Sequence, residues 1–370
     1  MQQTAVFTGG GSAGHVTPNF ALMRALRCEG WSVHYIGTAA GIEKTLLESA
    51  PDIRYHTISA GKLRRYFSLK NVADVFRVAR GTGQAKRLIK RIKPSVVFSK
   101  GGYVSVPVVL GARKICPVVV HESDYTPGLS NRIANRFASK VCVTFEDTLS
   151  HLGAKGVFTG TPIRKELYDG DRARGLAFTK LGGNKPVIMM MGGGLGAKAI
   201  NDTLRQALPA LLPRFDIVHL CGKGKLATQY AQPGYVQYEY IDAEQPDLFA
   251  LADIVLSRAG ANAIFEFLAL KKPALLVPLP LGASRGDQIQ NAAYFEKKGY
   301  AAVLKQEDMT ADTLTRTLVR LYEDRQRYIR AMAGSPNADG TGAVLDVIRQ
   351  AALTSGKGIV KAPHVLLKKA

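Results

Sequence analysis

The feature that most constrains the fold of this chain is a short apolar strand followed by a glycine-rich loop and a helix, an arrangement that occurs twice. The first copy has its strand at residues 5–8 and its loop at residues 9–14, and the second has them at residues 187–191 and 192–197. Such a repeat is typical of parallel sheets with crossover helices. Because 370 residues suffice for two domains, we predict an α/β fold with two tandem doubly wound, Rossmann-like parallel-sheet domains facing a cleft.

Apolar, β-branched runs mark the strands that we predict in these two domains. They are residues 5–8, 33–36, 96–98, 118–120 and 141–143 in the first half, and residues 187–191, 217–220, 254–256 and 274–277 in the second. Amphipathic segments at residues 19–29 and 72–92 lie between the strands of the first half. The pattern restarts after the turn Gly160-Thr161-Pro162, and the polar segment 164–183 is the linker candidate.

The chain is strongly basic, with 50 Lys and Arg against 29 Asp and Glu and a formal net charge of +21. Eleven cationic residues lie between residues 62 and 93, with Asp74 as the only acid and with apolar and aromatic residues among them. This mixture indicates a membrane-surface element, the alternative being a solvated basic helix face. We find no helix-turn-helix, zinc or RNA-recognition pattern and therefore expect no nucleic-acid partner. The predicted membrane surface comprises Lys62, Arg64, Arg65, Tyr66 and Phe67.

Composition also excludes several classes of protein. No apolar run reaches the roughly 20 residues of a membrane-spanning helix, and the N-terminus lacks the pattern of a signal peptide. The four cysteines are scattered, as in a reduced cytosolic protein. We therefore expect a chain that acts in the cytoplasm.

The first glycine loop contains the string G-x-G-x-x-G, which raises the alternative of a dinucleotide-dependent oxidoreductase. No acidic residue closes the second predicted strand, although Glu43 follows a little later, and the second glycine loop has no place in that scheme. His15 follows the first loop at the start of a helix. A neutral imidazole at that position can take a proton from a hydroxyl, the alternative being a histidine that caps or packs.

Seven separated motifs bear a family resemblance. They are GGGSAGHVTPN (9–19), KGGYVSVP (100–107), HESDYTPGLSNRIA (121–134), GTPIR (160–164), GGGLGA (192–197), SRAGANAIFE (257–266) and GDQIQNA (286–292). In this order and spacing the sequence resembles the MurG family of UDP-N-acetylglucosamine (UDP-GlcNAc) transferases over roughly residues 5–304. The resemblance implies a GT-B fold and an inverting, metal-independent transfer of GlcNAc to the muramoyl C4 hydroxyl of lipid I, which gives lipid II in peptidoglycan synthesis and so serves cell shape and division.

The resemblance also implies the roles of the domains. Residues 1–162 would bind the acceptor and the membrane, and residues 163–340 would bind UDP-GlcNAc. Residues 341–370 would form a helix returning toward the first domain, plus a basic tail. The implied partners are UDP-GlcNAc, the undecaprenyl-diphosphate-linked muramoyl peptide and the anionic inner leaflet. The protein would then act peripherally at the cytoplasmic face of the cell membrane.

Individual site residues follow from the same resemblance. Tyr103, His121 and Glu122 would lie on the acceptor side, and His15, Asp124 or both would act as base. Two departures stand out, namely Gly194 where the family often has serine, and Ser123-Asp124 where it often has Gln-Asn. The implied donor-binding residues are Ser12, Gly14, Arg164, Gly193, Gly194, Leu195, Gly196, Ala261, Ala263, Glu266, Gln288 and Asn291.

We expect no cofactor and no metal, and we keep two further alternatives. Metal-dependent transferases typically hold a divalent ion with an Asp-x-Asp pair. The Asp-x-Asp string Asp169-Gly170-Asp171 lies in the linker, and we interpret it as a solvated loop. Arg164 and the helix after the second glycine loop would then carry the charge of the leaving UDP. The alternatives are an enzyme of the same fold with another lipid acceptor, such as diacylglycerol, and a non-catalytic binder of nucleotide sugars.

Overall fold

The computed structural model describes residues 2–62, 69–193, 196–282 and 285–354, the side chains of residues 69–72 excepted. Within this part of the chain the protein divides into two compact units. The first unit comprises residues up to 122, residues 127–162 and the chain from Thr341 onward, and the second comprises residues 123–126 and 163–340. The predicted membrane residues Arg64, Arg65, Tyr66 and Phe67 and the predicted donor residues Gly194 and Leu195 lie outside the described residues.

The bounds of the strands and α-helices follow the alternation that the sequence predicts. The strands are β1 (Thr4–Thr8), β2 (Ser32–Gly37), β3 (Arg54–Thr57), β4 (Val96–Ser99), β5 (Val118–Glu122), β6 (Lys140–Val143), β7 (Gly156–Phe158), β8 (Val187–Met191), β9 (Asp216–Leu220), β10 (Tyr235–Tyr238), β11 (Ile254–Ser257), β12 (Ala274–Leu276) and β13 (Ala301–Val303). The helices are α1 (Thr17–Cys28), α2 (Ile42–Leu47), α3 (Leu69–Ile92), α4 (Ser105–Ala112), α5 (Leu129–Asn135), α6 (Arg172–Thr179), α7 (Lys198–Leu211), α8 (Gln245–Leu251), α9 (Ala261–Ala269), α10 (Asp287–Lys297), α11 (Ala311–Glu323), α12 (Arg325–Ala333) and α13 (Thr341–Thr354).

Each unit is built on one parallel sheet. In the described residues the first sheet has seven strands in the order β3-β2-β1-β4-β5-β6-β7, and the second has six in the order β10-β9-β8-β11-β12-β13. Every pair of neighbouring strands within these sheets is parallel, as crossover helices require. The predicted α/β class with two doubly wound sheets is thereby confirmed. The sequence did not predict β3, β7, β10 and β13.

The core of the first unit lies on both faces of its sheet. Ala5 and Phe7 of β1 pack with α1 on one face, whereas Val6 packs with α3, α4 and α5 on the other. Successive side chains of a strand point to opposite faces, so a central strand covered by helices on both sides must be apolar throughout. This explains why the predicted strands read as continuous apolar runs.

The C-terminal helix α13 packs on the first unit, although the second unit precedes it in the chain. Val344 and Ile348 belong to the same buried cluster as Phe7. The Arg349 guanidinium also binds the Glu29 carboxylate at the end of α1, with Nη2 2.5 Å from Oε1. The helix therefore completes the face of the first sheet that α1 covers only in part.

The predicted linker begins with a 3₁₀ turn (Lys165–Asp169) and continues into α6, with no strand. Asp171 is the N-cap of α6, and its side chain accepts a hydrogen bond from Arg174 N at 2.8 Å. An N-cap aspartate satisfies one of the free amide groups of the helix start. The string Asp169-Gly170-Asp171 is thus a helix start, with its second carboxylate used in capping.

The order of the strands reverses between β1 and β4 in the first unit and between β8 and β11 in the second. In doubly wound sheets, ligands bind outside the carboxyl ends of the strands at such a switch point. The loops that follow β1 and β4 are the GGGSAGH and KGGY segments, and the loop that follows β8 is the second glycine loop. The fold therefore brings the motifs that the sequence singled out to these two points.

Candidate functional site

Two glycine turns pack against each other at the switch point of the first unit. Gly10 N donates to Gly101 O at 3.3 Å, and a Cβ placed on Gly102 would lie 2.0 Å from Gly10 O. Gly11, at φ +85°, lies against Tyr103, because a Cβ there would be 2.5 Å from the tyrosine ring. Only glycines permit so close an approach with positive φ, so the two loops form one rigid surface that carries the Tyr103 ring.

His15 ends a 3₁₀ turn (Ala13–His15) directly after the first loop, and α1 begins two residues later. Its Nδ1 lies 3.2 Å from Lys100 O. A carbonyl oxygen can only accept, so Nδ1 carries a proton, and when the ring is neutral its basic lone pair is on Nε2. The predicted neighbours Ser12 and Gly14 lie in the same turn, where Ser12 O accepts from His15 N and the Ser12 side chain makes no capping bond.

The other two acceptor-side candidates, His121 and Glu122, end β5 and are buried. His121 Nε2 donates to Gly160 O at 2.9 Å, and its Nδ1 accepts from Lys100 Nζ at 3.1 Å. Burial, and then the Lys100 charge, hold the pKa of His121 well below its usual value, so the ring is neutral. Glu122 Oε2 accepts from Asn131 Nδ2 at 2.8 Å. Both side chains are therefore held within the first unit, and their predicted acceptor contacts stay predictions.

Lys100 is a residue of this site that the sequence analysis did not single out. Its side chain is fully buried at the end of β4, which is unusual for a lysine. The ammonium group faces His121 while the backbone carbonyl accepts from His15, so one residue connects the two histidines. The only signal in the sequence was its place directly after a buried strand and before Gly101-Gly102.

The second glycine loop occupies the switch point of the second unit. Gly193 has φ +83°, and a Cβ placed on it would meet none of the described residues within 4 Å. Gly196, at φ +67°, is so close to the residue after β9 that a Cβ would lie 2.0 Å from Cys221 O. The 14-residue helix α7 begins directly afterwards at Lys198. The free amide groups of a helix start attract a phosphate, so the start of α7 can bind one.

A buried chain of hydrogen bonds supports this loop from behind. Tyr235 OH lies 2.7 Å from His219 Nδ1, His219 Nε2 lies 3.1 Å from Asn201 Oδ1, and Asn201 Nδ2 donates to Cys221 O at 2.8 Å. Burial lowers the pKa of His219 to about 3, so the ring stays neutral. No sequence pattern indicated these hydrogen bonds, because Asn201, His219 and Tyr235 come from three different elements.

Arg164 and Glu266 come together in the second unit, 102 residues apart in sequence. Arg164 Nη2 donates to Gln245 Oε1 at 2.9 Å and to Glu266 Oε1 at 3.3 Å. Burial raises the pKa of Glu266, and Arg164 opposes that shift. The Arg164 Nε atom is buried, and among the described residues it has no hydrogen-bond partner. Ala261 and Ala263 lie at the start of the same helix α9, so these predicted donor residues form one cluster.

Gln288 and Asn291, both implied donor-binding residues, lie in the first turns of α10. Gln288 Oε1 accepts from Leu279 N at 3.1 Å. Asn291 is fully buried, and its amide bonds Asp124 Oδ1, Ala259 O and Tyr125 N at 3.0–3.2 Å. These bonds give Asn291 a structural role, and its predicted contact with the donor sugar stays a prediction.

Asp124 lies in the short segment that groups with the second unit. Its Oδ1 accepts from Asn291 and its Oδ2 from Arg285 Nη2, each at 3.2 Å. A carboxylate held by an amide and a guanidinium is suited to anchoring a loop. The sequence left Asp124 open as a base, and this geometry shows the contacts that compete with that role.

Helix α3 carries the described part of the basic surface. Val75 and Phe76 are 56% and 72% exposed, and Lys62, Arg77 and Arg80 are exposed as well. The one acid of this stretch, Asp74, is buried and paired with Arg77 at 2.9 Å. In the part of the chain that the structure describes, no helix is long and apolar enough to cross a membrane.

Two doubly wound units, each with a glycine turn at its switch point, define the protein as a glycosyltransferase of the GT-B type. The models of the glycosyltransferase family 28 N-terminal and C-terminal domains match residues 5–143 and 187–344. The chain therefore belongs to glycosyltransferase family 28, which confirms the family that the sequence motifs indicated.

Individual relatives match nearly the whole chain. A protein of Lachnospira eligens named UDP-N-acetylglucosamine--N-acetylmuramyl-(pentapeptide) pyrophosphoryl-undecaprenol N-acetylglucosamine transferase is 55% identical over 93% of this chain and 98% of its own length. A protein of the same name from Geobacillus thermodenitrificans is 51% identical over 95% and 100%. The crystal structure of Acinetobacter baumannii MurG is 28% identical, with a TM-score of 0.73 over 95% of this chain and 100% of that one.

Proposed function

We propose that this protein transfers N-acetylglucosamine from UDP-GlcNAc to the C4 hydroxyl of the muramoyl sugar on undecaprenyl diphosphate, converting lipid I to lipid II. The observation that carries the proposal is the 55% identity to a transferase of that name over 93% of this chain. A match that spans both units includes the residues around both glycine loops. An enzyme with another lipid acceptor would be expected to differ in the first unit.

The chemistry that we assign is a single displacement. The hydroxyl oxygen of the acceptor forms a bond to the anomeric carbon while the bond from that carbon to the UDP oxygen breaks. The hydroxyl proton passes to His15 Nε2, the nitrogen whose lone pair the Lys100 carbonyl contact leaves basic. UDP leaves with the bonding electron pair as an anion, and the configuration at the anomeric carbon inverts.

The charge of the leaving UDP needs stabilisation, which we assign to groups of the second unit. The buried Arg164 Nε–H is a donor that lacks a partner among the described residues, and the α7 start supplies further amide donors. Fixed donors at a developing anion are worth several kcal/mol, about 2.7–4 for one such group in known enzymes. These donors support our proposal that the transfer needs no metal ion or other cofactor.

We assign the base role to His15 and an anchoring role to Asp124. Two donors hold the Asp124 oxygens, and its neighbours Asn291 and Arg285 come from the second unit. Asparagine, which the family often has at this position, could keep the contact with Asn291. The family's use of a residue that cannot act as a base fits a role in which Asp124 only anchors its loop.

The experiment measures UDP release from UDP-GlcNAc with and without a lipid I analogue, in detergent and EDTA. We expect release that depends on the acceptor, survives EDTA and falls at least about 100-fold in His15→Ala. Asp124→Asn, the matched control, should stay within about threefold of the parent, because a partly exposed ion pair contributes little. Binding of UDP-GlcNAc without acceptor-dependent release would refute the lipid I assignment, and loss of release in EDTA would refute the metal-free mechanism.

We further propose that the protein docks reversibly on the anionic inner leaflet at the cytoplasmic face of the cell membrane. The polyprenyl acceptor stays in the bilayer, so the enzyme must reach it there. The cations of α3 support this docking, because each cation near such a surface contributes about 1 kcal/mol. The exposed Val75 and Phe76 lie among these cations and can enter the bilayer surface.

A further inference from the structure

Glu43, in the first turn of α2, is a carboxylate buried directly beneath the first glycine loop. Its Oε1 accepts from Thr38 Oγ1 at 2.6 Å and from Thr38 N at 3.0 Å, and its Oε2 lies 3.5 Å from Gly11 N. Among the residues described, no lysine or arginine forms an ion pair with it. A buried charge held only by hydrogen bonds is costly, so a carboxylate kept here calls for an explanation.

The surroundings of Glu43 are shaped to admit it. Three glycines from three segments face its side chain, and a Cβ on Gly10, Gly37 or Gly41 would lie 2.7, 2.8 or 2.2 Å from a Glu43 atom. Tyr55 OH donates to Thr38 O at 2.7 Å and so fixes the residue that holds the carboxylate. The absence of side chains on these glycines therefore leaves room for the Glu43 carboxylate.

The Glu43 carboxylate contacts the first glycine loop at Gly11, and His15 follows the same loop in the chain. Gly10 lies between Glu43 and the turn after β4, to which its N–H donates. A Cβ on Gly9 would lie 2.2 Å from His15 O, and the His15 ring is held by Lys100 O in that same turn. A shift of the loop toward Glu43 would thus move His15 relative to the carbonyl that sets its tautomer.

The charge of Glu43 also distinguishes the two glycine loops. In nucleotide-binding loops the amide groups at a helix start face a phosphate, whereas here the Gly11 amide faces an internal carboxylate. The pKa of Tyr103, which lies on Gly11, is raised by burial and next by Glu43, so the charge acts at the surface of this loop. Among the described residues of the second glycine loop, none donates to a carboxylate.

We propose that Glu43 is the internal anion of the first glycine loop and a positioning residue for the reaction, which fixes the loop so that His15 presents Nε2 to the acceptor. The part of this proposal that concerns turnover rests on the proposed role of His15. The part that concerns the orientation of His15 does not, and it is tested in the protein without substrate.

The test compares Glu43→Gln, which keeps size and removes charge, with Glu48→Gln, an exposed glutamate at the end of the same helix. We expect Glu43→Gln to lower kcat between about tenfold and about 100-fold, since small displacements of a reacting group cost that much. KM for UDP-GlcNAc should stay within about twofold of the parent, because most of the proposed donor-binding residues, among them Arg164 and Glu266, are in the other unit. Glu48→Gln should leave kcat unchanged.

Nitrogen-15 NMR of the His15 ring in the free protein supplies the second readout. The parent and Glu48→Gln should show Nδ1–H alone, whereas Glu43→Gln should show a mixture of tautomers. Unchanged tautomer and kcat in Glu43→Gln would overturn the proposal. If Glu43→Gln does not fold, Thr38→Val, which removes only the hydroxyl donor, is measured instead and should show the same mixture. If His15→Ala has the rate of the parent and Glu43→Gln still changes the tautomer of His15, the role of His15 as base is refuted and the role of Glu43 in orienting His15 stands.

Discussion

At the scale of single residues, backbone contacts decide the tautomers of two histidines in the site. The Lys100 carbonyl fixes the tautomer of His15, and Gly160 O with the Lys100 ammonium does the same for His121. Two histidines thus end up with opposite roles. The first has its basic nitrogen turned away from its backbone partner, and the second is neutral, buried and bonded at both nitrogens.

Arg164 is the residue whose exchange should best separate donor binding from the rest of the reaction. Arg164→Lys keeps the charge but loses the planar fork that reaches Gln245 and Glu266 together. We expect KM for UDP-GlcNAc to rise at least about tenfold, since a hydrogen bond to a charged group contributes about 1.5–3 kcal/mol. Initial rates at varied UDP-GlcNAc measure this.

The control for that exchange is Arg174→Lys in the same unit, where the guanidinium pairs with Asp247 on an exposed surface. Its KM should equal that of the parent. An equal rise in KM in both variants would mean that Arg164 acts through the stability of the unit and makes no contact with the donor.

At this scale the sequence predicted which residues gather but not how each is used. Arg164 and Glu266, which the resemblance implied to be donor-binding residues, lie within hydrogen-bonding distance of each other. The partners of Asp124 could not be predicted, since Arg285 and Asn291 are 161 and 167 residues away. The burial of Lys100 and Glu43 could not be predicted, because it also depends on contacts with distant segments, such as His121 for Lys100 and Gly10 for Glu43.

At the scale of elements, α3 shows how glycines set the approach of one helix to its surroundings. A Cβ on Gly81 would lie 1.8 Å from Ser59 O, whereas a Cβ on Gly83 meets nothing within 4 Å. Gly83→Ala should therefore stabilise the protein by about 0.5–1 kcal/mol through helix propensity. Gly81→Ala should destabilise it by about 1–3 kcal/mol, because the backbone must shift to admit the methyl group.

Urea unfolding of both variants, followed by circular dichroism, measures these changes. Each variant is the control for the other, since the substitution and the helix are the same. If Gly81→Ala and Gly83→Ala change the free energy of unfolding equally, Gly81 does not lie as close to the Ser59 carbonyl as the structure shows.

The edge pair β2–β3 carries a pH-dependent contribution to stability. His34 Nδ1 and His56 Nε2 are 2.8 Å apart. The pKa of His34 is lowered to about 4 by burial, then His56 and Arg54, and that of His56 is lowered by burial, then Arg91 and Arg54. The folded state therefore binds fewer protons than the unfolded state, and the stability from this pair is present above pH about 6.5 and is lost as pH falls toward about 4.

Urea midpoints at pH 7.5, 5.5 and 4.5 measure this loss in the parent and in a His34→Gln, His56→Gln double variant. The double variant should lose less stability between pH 7.5 and 4.5 than the parent. His151→Gln, at an exposed histidine, should follow the parent. A double variant with the full loss of the parent would assign the acid sensitivity to other groups.

Elements also show where prediction from sequence ends. All nine predicted strands are present, and they are the interior strands of the two sheets. The four strands that were not predicted, β3, β7, β10 and β13, are the edges. Interior strands are buried on both faces and so read as apolar runs. The edge strand Arg54–Thr57 has only exposed and half-buried positions, so its sequence is not an apolar run. It is recognised as a strand through its hydrogen bonds to β2.

At the scale of the whole molecule, the membrane docking that we propose combines the net charge of +21 with the exposed apolar groups of α3. Charge attracts the protein to an anionic surface at a distance set by the ionic strength, and apolar side chains hold it there after contact. Neither term suffices alone, since a basic protein also binds other anions and two apolar side chains bury little area. The predicted docking should thus depend on both salt and Val75 and Phe76.

Cosedimentation with vesicles tests that dependence. Binding should be strong to vesicles with about 30% anionic lipid and weak to neutral vesicles, because the anionic surface attracts basic residues. It should be at least about tenfold weaker in 0.5 M than in 0.1 M salt, because salt screens this attraction. Val75→Ser, Phe76→Ser should weaken it at low salt, because transfer of these side chains into the bilayer surface contributes about 1.5–3 kcal/mol for each fully buried group. The control is Leu226→Ser, Leu281→Ser, which removes two leucines that are 51% and 71% exposed in the second unit. If the control variant weakens vesicle binding as much as the α3 variant does, docking is not a property of α3. If binding depends on salt but none of the four substitutions changes it, the attraction is nonspecific.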